Sequence, residues 1–401
     1  MFGFTERQAD SILTLQLYRL TNLEITSLQK ELDDILKKIT VLRGILDSDK
    51  KLVAVIKKEL LEIRDKYGID RRSEIQGEVE ELKVNLEVLV AQEDVLVTLS
   101  NEGYIKRTSM LSFTRSGGER EGSGVKEGDY IKHVLDVDTL ENILIFTQRG
   151  QYFLLPVHQI PEFKWKDNGT AIVNVIPMAK EDRIVSVIPM KSFEETNQSL
   201  VFITKRGQVK RTELKEYETK RSNAVAACKV ADGDEVISVT VSQNNQEILL
   251  ITAKGMAIRF AEQEVNAMGR VSAGVRGIGL KDDDEVVAGL WVEGEEGEIL
   301  VVSDLGYAKR SLLLDYPLQS RGGKGVQTFE FKEGKRVKPN GNIIIDGFHC
   351  KEPITFHAMT KEGAVFDFSS ENAPLSDRKS IGKHVVSLDK QDAIVDLVIR
   401  P

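Results

Sequence analysis

TKRGQVKRT, residues 204–212, is a basic, glycine-centred phrase that directly follows the apolar run LVFI. It returns as SNEGYIKRT (100–108), TQRGQYFLL (147–155), TAKGMAIRF (252–260), SDLGYAKRS (303–311) and TKEGAVFDF (360–368). The glycines Gly103, Gly150, Gly207, Gly255, Gly306 and Gly363 are 47, 57, 48, 51 and 57 residues apart. Six copies near one period are the signature of a repeat architecture. Each copy opens on a β-rich run such as VLVTL, ILIFT or ILLIT, turns at the glycine and continues as a second short strand. A glycine in a short hairpin connection supplies the positive φ that the turn needs. An irregular loop follows, then an acidic turn (ADGDE 231–235, KDDDE 281–285), then a further apolar strand (VISVTV, VVAGLWV). About four strands in about 50 residues is the grain of a propeller blade. The expected fold is therefore a six-bladed propeller over residues 95–401, with repeats near 95–141, 142–198, 199–246, 247–297, 298–351 and 352–401. No unit of this size buries its faces alone, so the ring is the folding unit.

The basic residues after the glycine are the candidate site. Three repeats carry a full pair, Lys106-Arg107, Lys210-Arg211 and Lys309-Arg310; the fourth has Arg259 alone, and the second and sixth have YFLL and VFDF. Neighbours on a strand point to opposite faces. With acids gathered in the turns, such repeats build a basic rim on a net-acidic domain, which favours a polyanion. The competing explanation is protection of exposed strand edges by charge, which does not require one pair at one offset from glycine. Loops after the second strand add Arg115 in TRSGGEREGSGV, Arg221 in ETKRSNAV, Arg270 and Arg276 in MGRVSAGVRGIG, and Arg321 and Lys324 in QSRGGKGV. Arginine beside glycine lets guanidinium and backbone N–H approach a phosphate together. RGGKGV lacks the spacing of a phosphate-binding P-loop, no dinucleotide fingerprint follows a strand, and the carboxylates lack EF-hand spacing.

Residues 5–66 read as helix. Leu28, Leu32, Ile35, Ile39, Leu42 and Leu46 recur at spacings of 4, 3, 4, 3 and 4, a heptad seam that needs a partner helix. Residues 67–94 form an acidic connector. The 401-residue chain is 41% hydrophobic and 29% charged with net charge −8, and it has no apolar run long enough for a membrane span. The N-terminal MFGFTERQAD has no secretory-signal pattern. Residues 1–94 hold 15 Lys+Arg against 19 Asp+Glu, leaving 40 against 44, so neither half is basic. Cys228 and Cys350 suggest a reducing compartment, and the five histidines show no zinc spacing.

Taken together, FTERQADSILTLQLYRLTNLE, the heptad helix, KELLEIRDKYGIDRRSEI and the GYIKRT-type repeats resemble the A subunit of bacterial type IIA DNA topoisomerases, across essentially the whole chain. The resemblance implies an α plus all-β protein. Residues 1–66 would form part of the dimer gate and coiled-coil arm, with Leu17 and Leu20 facing the partner. Residues 95–401 would form a β-pinwheel that exchanges strands between blades and binds and bends duplex DNA on its rim. It implies as partners duplex DNA, a second copy of the chain, and a B subunit that carries ATP and magnesium in a heterotetramer. It implies a cytoplasmic, nucleoid-associated enzyme that passes one duplex through a transient break in another. The family's DNA-cleaving tyrosine lies upstream of the arm, and Tyr18 in LQLYRL reads as a packing residue, so no catalytic residue, metal site or cofactor is expected in these 401 residues. Gyrases carry a QRRGGKG box in the first blade; here that loop is SFTRSGGEREGSGV, and the nearest match, QSRGGKGV, falls in the fifth. That resembles the decatenating topoisomerase IV branch more than gyrase, the second reading. A propeller that recruits a protein partner is the third.

Overall fold

The computed structural model describes residues 3–14, 22–69, 90–194, 197–243, 245–281, 283–332, 338–389 and 391–400. The chain divides into two units, Met1–Val84 and Asn85–Pro401.

The first unit is helical: α1 (Glu6–Leu13), α2 (Asn22–Leu46) and α3 (Asp49–Tyr67). A capping box between Thr5 and Gln8 starts α1. The helical reading of residues 5–66 holds for the described residues, with a break at Asp47-Ser48, where Ser48 is extended at the N-cap position of α3. Aspartate and serine compete for backbone hydrogen bonds and favour such caps over helix interiors. The heptad seam lies along α2 with Leu28, Leu32, Ile35, Ile39, Leu42 and Leu46 between 40% and 69% exposed. Leu17, Tyr18 and Leu20, and most of the connector, lie outside the described residues.

The second unit is six small antiparallel sheets. In the first, Asp94–Ser100 and Tyr104–Ser109 form the hairpin and Ile131–Asp138 flanks it on one side. On the other side lies Thr170–Ala171, which comes from beyond the second repeat's hairpin. Val225–Ala226, Val275–Arg276, Val326–Gln327 and Lys383–His384 do the same for the next four sheets. Among the described residues the sixth sheet has three strands. The flanking strands Ile131–Asp138, Ile184–Met190, Val236–Ser242, Val286–Val292, Ile344–Cys350 and Ile394–Ile399 touch one another in succession. They form the inner side of the ring, which leaves the exchanged strands at the outer edge of each blade.

Five apolar cores lie between successive blades. Along one hairpin strand, Ile143 and Ile145 enter the core shared with blade 1, while Leu144 and Phe146 enter the core shared with blade 3. Blades 3, 4 and 5 repeat this alternation, through Val201 and Leu200, Leu250 and Leu249, and Val301 and Leu300. Both faces of these strands are buried, which is why they read as unbroken apolar runs. Among the described residues no such core joins blade 6 to blade 1. There the Tyr130 hydroxyl donates to Asp396, and Lys132 Nζ lies 3.4 Å from the same carboxylate.

The hairpin glycines have φ between +72° and +85°. The acidic turns serve these hairpins. Asp129, Asp182, Asp234, Asp284 and Asp392 each accept from the backbone N–H of the residue before the glycine, at 2.8–3.4 Å.

Candidate nucleic-acid interface

The loops between each hairpin and the exchanged strand carry the outer rim. In blade 1 this loop includes a short helix, α4 (Met110–Arg115), capped by Ser109. Phe113 of α4 packs edge-on against Trp165, whose indole N–H donates to Glu119 O at 3.1 Å. Two stretches of chain, 109–124 and 161–170, are thereby fastened together. A glycine opens four of the five exchanged strands, and Gly274 shows why: its φ is +88°, and a Cβ there would meet Val209 O at 2.7 Å and Lys210 Cβ at 3.1 Å.

Where the structure places the predicted basic residues corrects the expectation for several of them. Lys106, Lys210 and Lys309 are not on the rim surface; they are 1%, 1% and 0% exposed. Lys106 Nζ donates to Trp165 O at 2.6 Å, Asp167 O at 2.5 Å and Gly124 O at 3.4 Å. Lys210 Nζ donates to Ala227 O at 2.5 Å and to Arg270 O, and Lys309 Nζ to Arg378 O at 2.6 Å and Asp377 O at 3.0 Å. Burial pushes the Lys106 and Lys210 ammoniums down to about 8 and, with the Arg378 charge adding, that of Lys309 to about 7. An ammonium enclosed in this way has no room for a phosphate. Arg259 is likewise buried, 6% exposed, with Nε on Glu247 at 2.5 Å and Nη1 near Leu313 O and Tyr316 O.

The arginines of the three pairs are half-buried. Arg107 lies 3.4 Å from Glu162, Arg310 donates to Glu298 at 2.6 Å and to Ala373 O at 3.0 Å, and Arg211 takes the equivalent position in blade 3. Their backbones are engaged as well: Arg107, Arg211, Arg259 and Arg310 each form an isolated bridge to the chain that leads into the next loop. Arg270 and Arg321 occupy equivalent places, four residues before the glycine of the exchanged strand. Their Nη1 atoms donate to Ala226 O at 2.8 Å and Arg276 O at 3.1 Å, each on the neighbouring exchanged strand. Arg378, which sequence reasoning misses, repeats the contact on Gln327 O. These guanidiniums tie one rim loop to the next, and five donors in one plane leave some directed outward.

Arg115, Arg221 and Lys324 on the loops, and Arg276 on its exchanged strand, are exposed, as expected of phosphate ligands. The structure adds exposed Lys164, Lys166, Lys220 and Lys379 on the rim loops and Lys383 on its exchanged strand. For Lys166 and Lys379 the signal was one position, three residues before the glycine of the exchanged strand in EFKWKDNGT and SDRKSIGKH, invisible until that strand is known. Exposed cations spread over six consecutive repeats suit a polyanion with regularly spaced charge. Among the described residues no group of three His, Cys, Asp or Glu side chains could hold a metal ion.

The model of the DNA gyrase C-terminal domain, a β-propeller, matches residues 94–119, 141–189, 198–243, 246–290, 297–338 and 358–399. The chain belongs to that family. It is 39% identical over 382 residues to the A subunit of DNA topoisomerase 4 from Bacillus subtilis (strain 168), covering 95% of this chain and 46% of that protein. With the Staphylococcus aureus protein of the same name it shares 33% over 405 residues, 100% of this chain and 49% of that protein. The chain thus spans about half the length of the curated relatives it matches. The crystal structure of the C-terminal domain of DNA topoisomerase IV superposes with a TM-score of 0.71 at 31% identity, over 77% of this chain and 94% of that one. The DNA gyrase A C-terminal domain superposes with a TM-score of 0.57 at 22% identity, over 77% and 99%, and shares the fold. The family resemblance read from the repeats and the helical opening holds across the chain.

Proposed function

We propose that the pinwheel rim binds and bends duplex DNA through its phosphates, as the DNA-handling part of a topoisomerase IV A subunit. The observation that carries this reading is the ring of exposed cations, Arg115, Lys166, Arg221, Arg276, Lys324 and Lys379, on the rim of a chain whose net charge is −8. Only a segregated basic surface gives such a chain affinity for a polyanion. Lysines and arginines on irregular loops contact backbone rather than base edges, so binding is expected to be indifferent to sequence. In the assembled enzyme one duplex would pass through a transient break in another. A B subunit would supply ATP and magnesium, the α2 seam would join two copies, and the complex would work in the cytoplasm on the nucleoid. Among the described residues no helix is long and apolar enough to cross a membrane.

The test is filter binding of unrelated duplexes across a salt series. Replacing Arg221 and Arg276 with Gln should make the slope of log affinity against log salt shallower by about 0.9 for each phosphate no longer neutralised. The change should be the same for every duplex. An unaltered slope would assign these residues to solvation of the surface alone. Topology assays of a full-length A subunit carrying this segment, with its B subunit, separate the two branches of the family, because supercoiling of relaxed circles would make it a gyrase.

A further inference from the structure

The buried lysines of the repeated phrase remain without a role once they are removed from the DNA surface. A lysine in a core is costly unless its charge is paired and hydrogen-bonded. Methionine or leucine would fill the same space, and blade 4 does place Ile258 at the equivalent point. What the three lysines share is the identity of their acceptors. Lys106 binds the carbonyls on either side of Lys166, Lys210 the carbonyl of Arg270 itself, and Lys309 that of Arg378, the residue before Lys379. Each acceptor lies in the loop lent by the following repeat. Lys106 and Lys210 also bind the loop that follows their own strand, at Gly124 and Ala227.

We propose that Lys106, Lys210 and Lys309 are positioning residues, each clamping a rim loop from beneath through its backbone carbonyls and so fixing where that loop presents its cation to a DNA backbone. The inference rests on the DNA-binding reading of the rim. Each exchanged loop is held at its ends by two ladder residues on the neighbouring blade and by the bridge at the arginine beside the lysine; between those points the lysine is what grips its carbonyls from within. In blade 3 the glycine of the exchanged strand lies against the lysine's Cβ, so stem and tip contact the same loop. Blade 4, which has Ile258, holds its loop from another direction. There Arg321 donates Nε to Glu264 O at 3.0 Å and its backbone N–H to the Glu264 carboxylate at 3.0 Å.

The experiment uses the 401-residue chain with Lys106→Met, Lys166→Gln and both together. In Lys106→Met, trypsin should cut after Lys164 or Lys166 several-fold faster, while circular dichroism and the melting transition still report an intact propeller. The salt slope for a random duplex should become shallower by about 0.9, as in Lys166→Gln, although Lys106 touches no phosphate. In the double variant the slope should fall no further, because both changes remove the same phosphate contact. Unchanged cleavage in folded Lys106→Met, or slope changes that add, would overturn the proposal. Should Lys106→Met not fold, Lys309→Met with Lys379→Gln decides by the same outcomes, with cleavage read after Arg378 or Lys379. A wild-type slope near zero, or one that Lys166→Gln leaves alone, would count against the DNA reading instead, and cleavage would still decide the clamp.

Discussion

Lys309 illustrates how a charged residue can be retained inside a blade. Its ammonium gives up water and receives two carbonyls in return, at 2.6 and 3.0 Å. Burial lowers its pKa from 10.5 to about 7, so between pH 7 and 10 the unfolded chain binds more protons at this site than the folded one. Stability contributed by a group with this sign rises with pH through that window. We expect the difference in melting temperature between the natural chain and Lys309→Met to move in favour of the natural chain as pH is raised from 7 to 10. Calorimetry at fixed ionic strength measures it, and a difference that is constant with pH would mean that the folded lysine keeps its ordinary pKa. The residue type was legible in the sequence; its burial was not, because alternation along a strand assigns two faces without saying that both are covered.

At the scale of elements, the exchanged strands decide the geometry. They are two residues long, too short to register as strands in any periodicity, and their partners lie in another repeat. Gly274 admits one of them. Substituting Ala places a Cβ 2.7 Å from Val209 O in a backbone at φ +88°, which costs about 1–2 kcal/mol for the conformation before any clash is counted. We expect Gly274→Ala to lower the denaturant midpoint and to weaken DNA binding, because it lifts the loop that carries Arg270 and Arg276. Gly269→Ala, where an added Cβ meets nothing within 4 Å and φ is not positive, should leave both unchanged. Equal effects of the two substitutions would show that the close approach is not what matters.

At the scale of the whole molecule, two kinds of unfinished surface remain. Among the described residues the ring has five apolar cores for six blades, and blades 6 and 1 meet in the polar contact of Tyr130 and Lys132 with Asp396. The helical unit leaves the seam of α2 half exposed along its length. Replacing Leu32 and Ile39 with Lys puts charge at the middle of that seam, and we expect sedimentation equilibrium to show weaker self-association with the propeller melt unaltered. A chain that is monomeric at high concentration before substitution would remove the seam as the dimer contact.

The repeat period, the turn glycines and the apolar runs were enough to state six blades and a helical opening, because backbone conformation and burial write themselves locally as composition. Arg115, Arg221, Arg276 and Lys324 were also legible as exposed cations, whereas Arg270 and Arg321 in the same stretches are half-buried against carbonyls of neighbouring strands. The strand exchange and the fate of the lysines were decided by tertiary structure. Whether Lys210 faces water or the carbonyls of Ala227 and Arg270 depends on a loop 60 residues further along the chain. Spacing within a repeat carries no record of such a contact, because the group that covers the lysine is supplied by the next one.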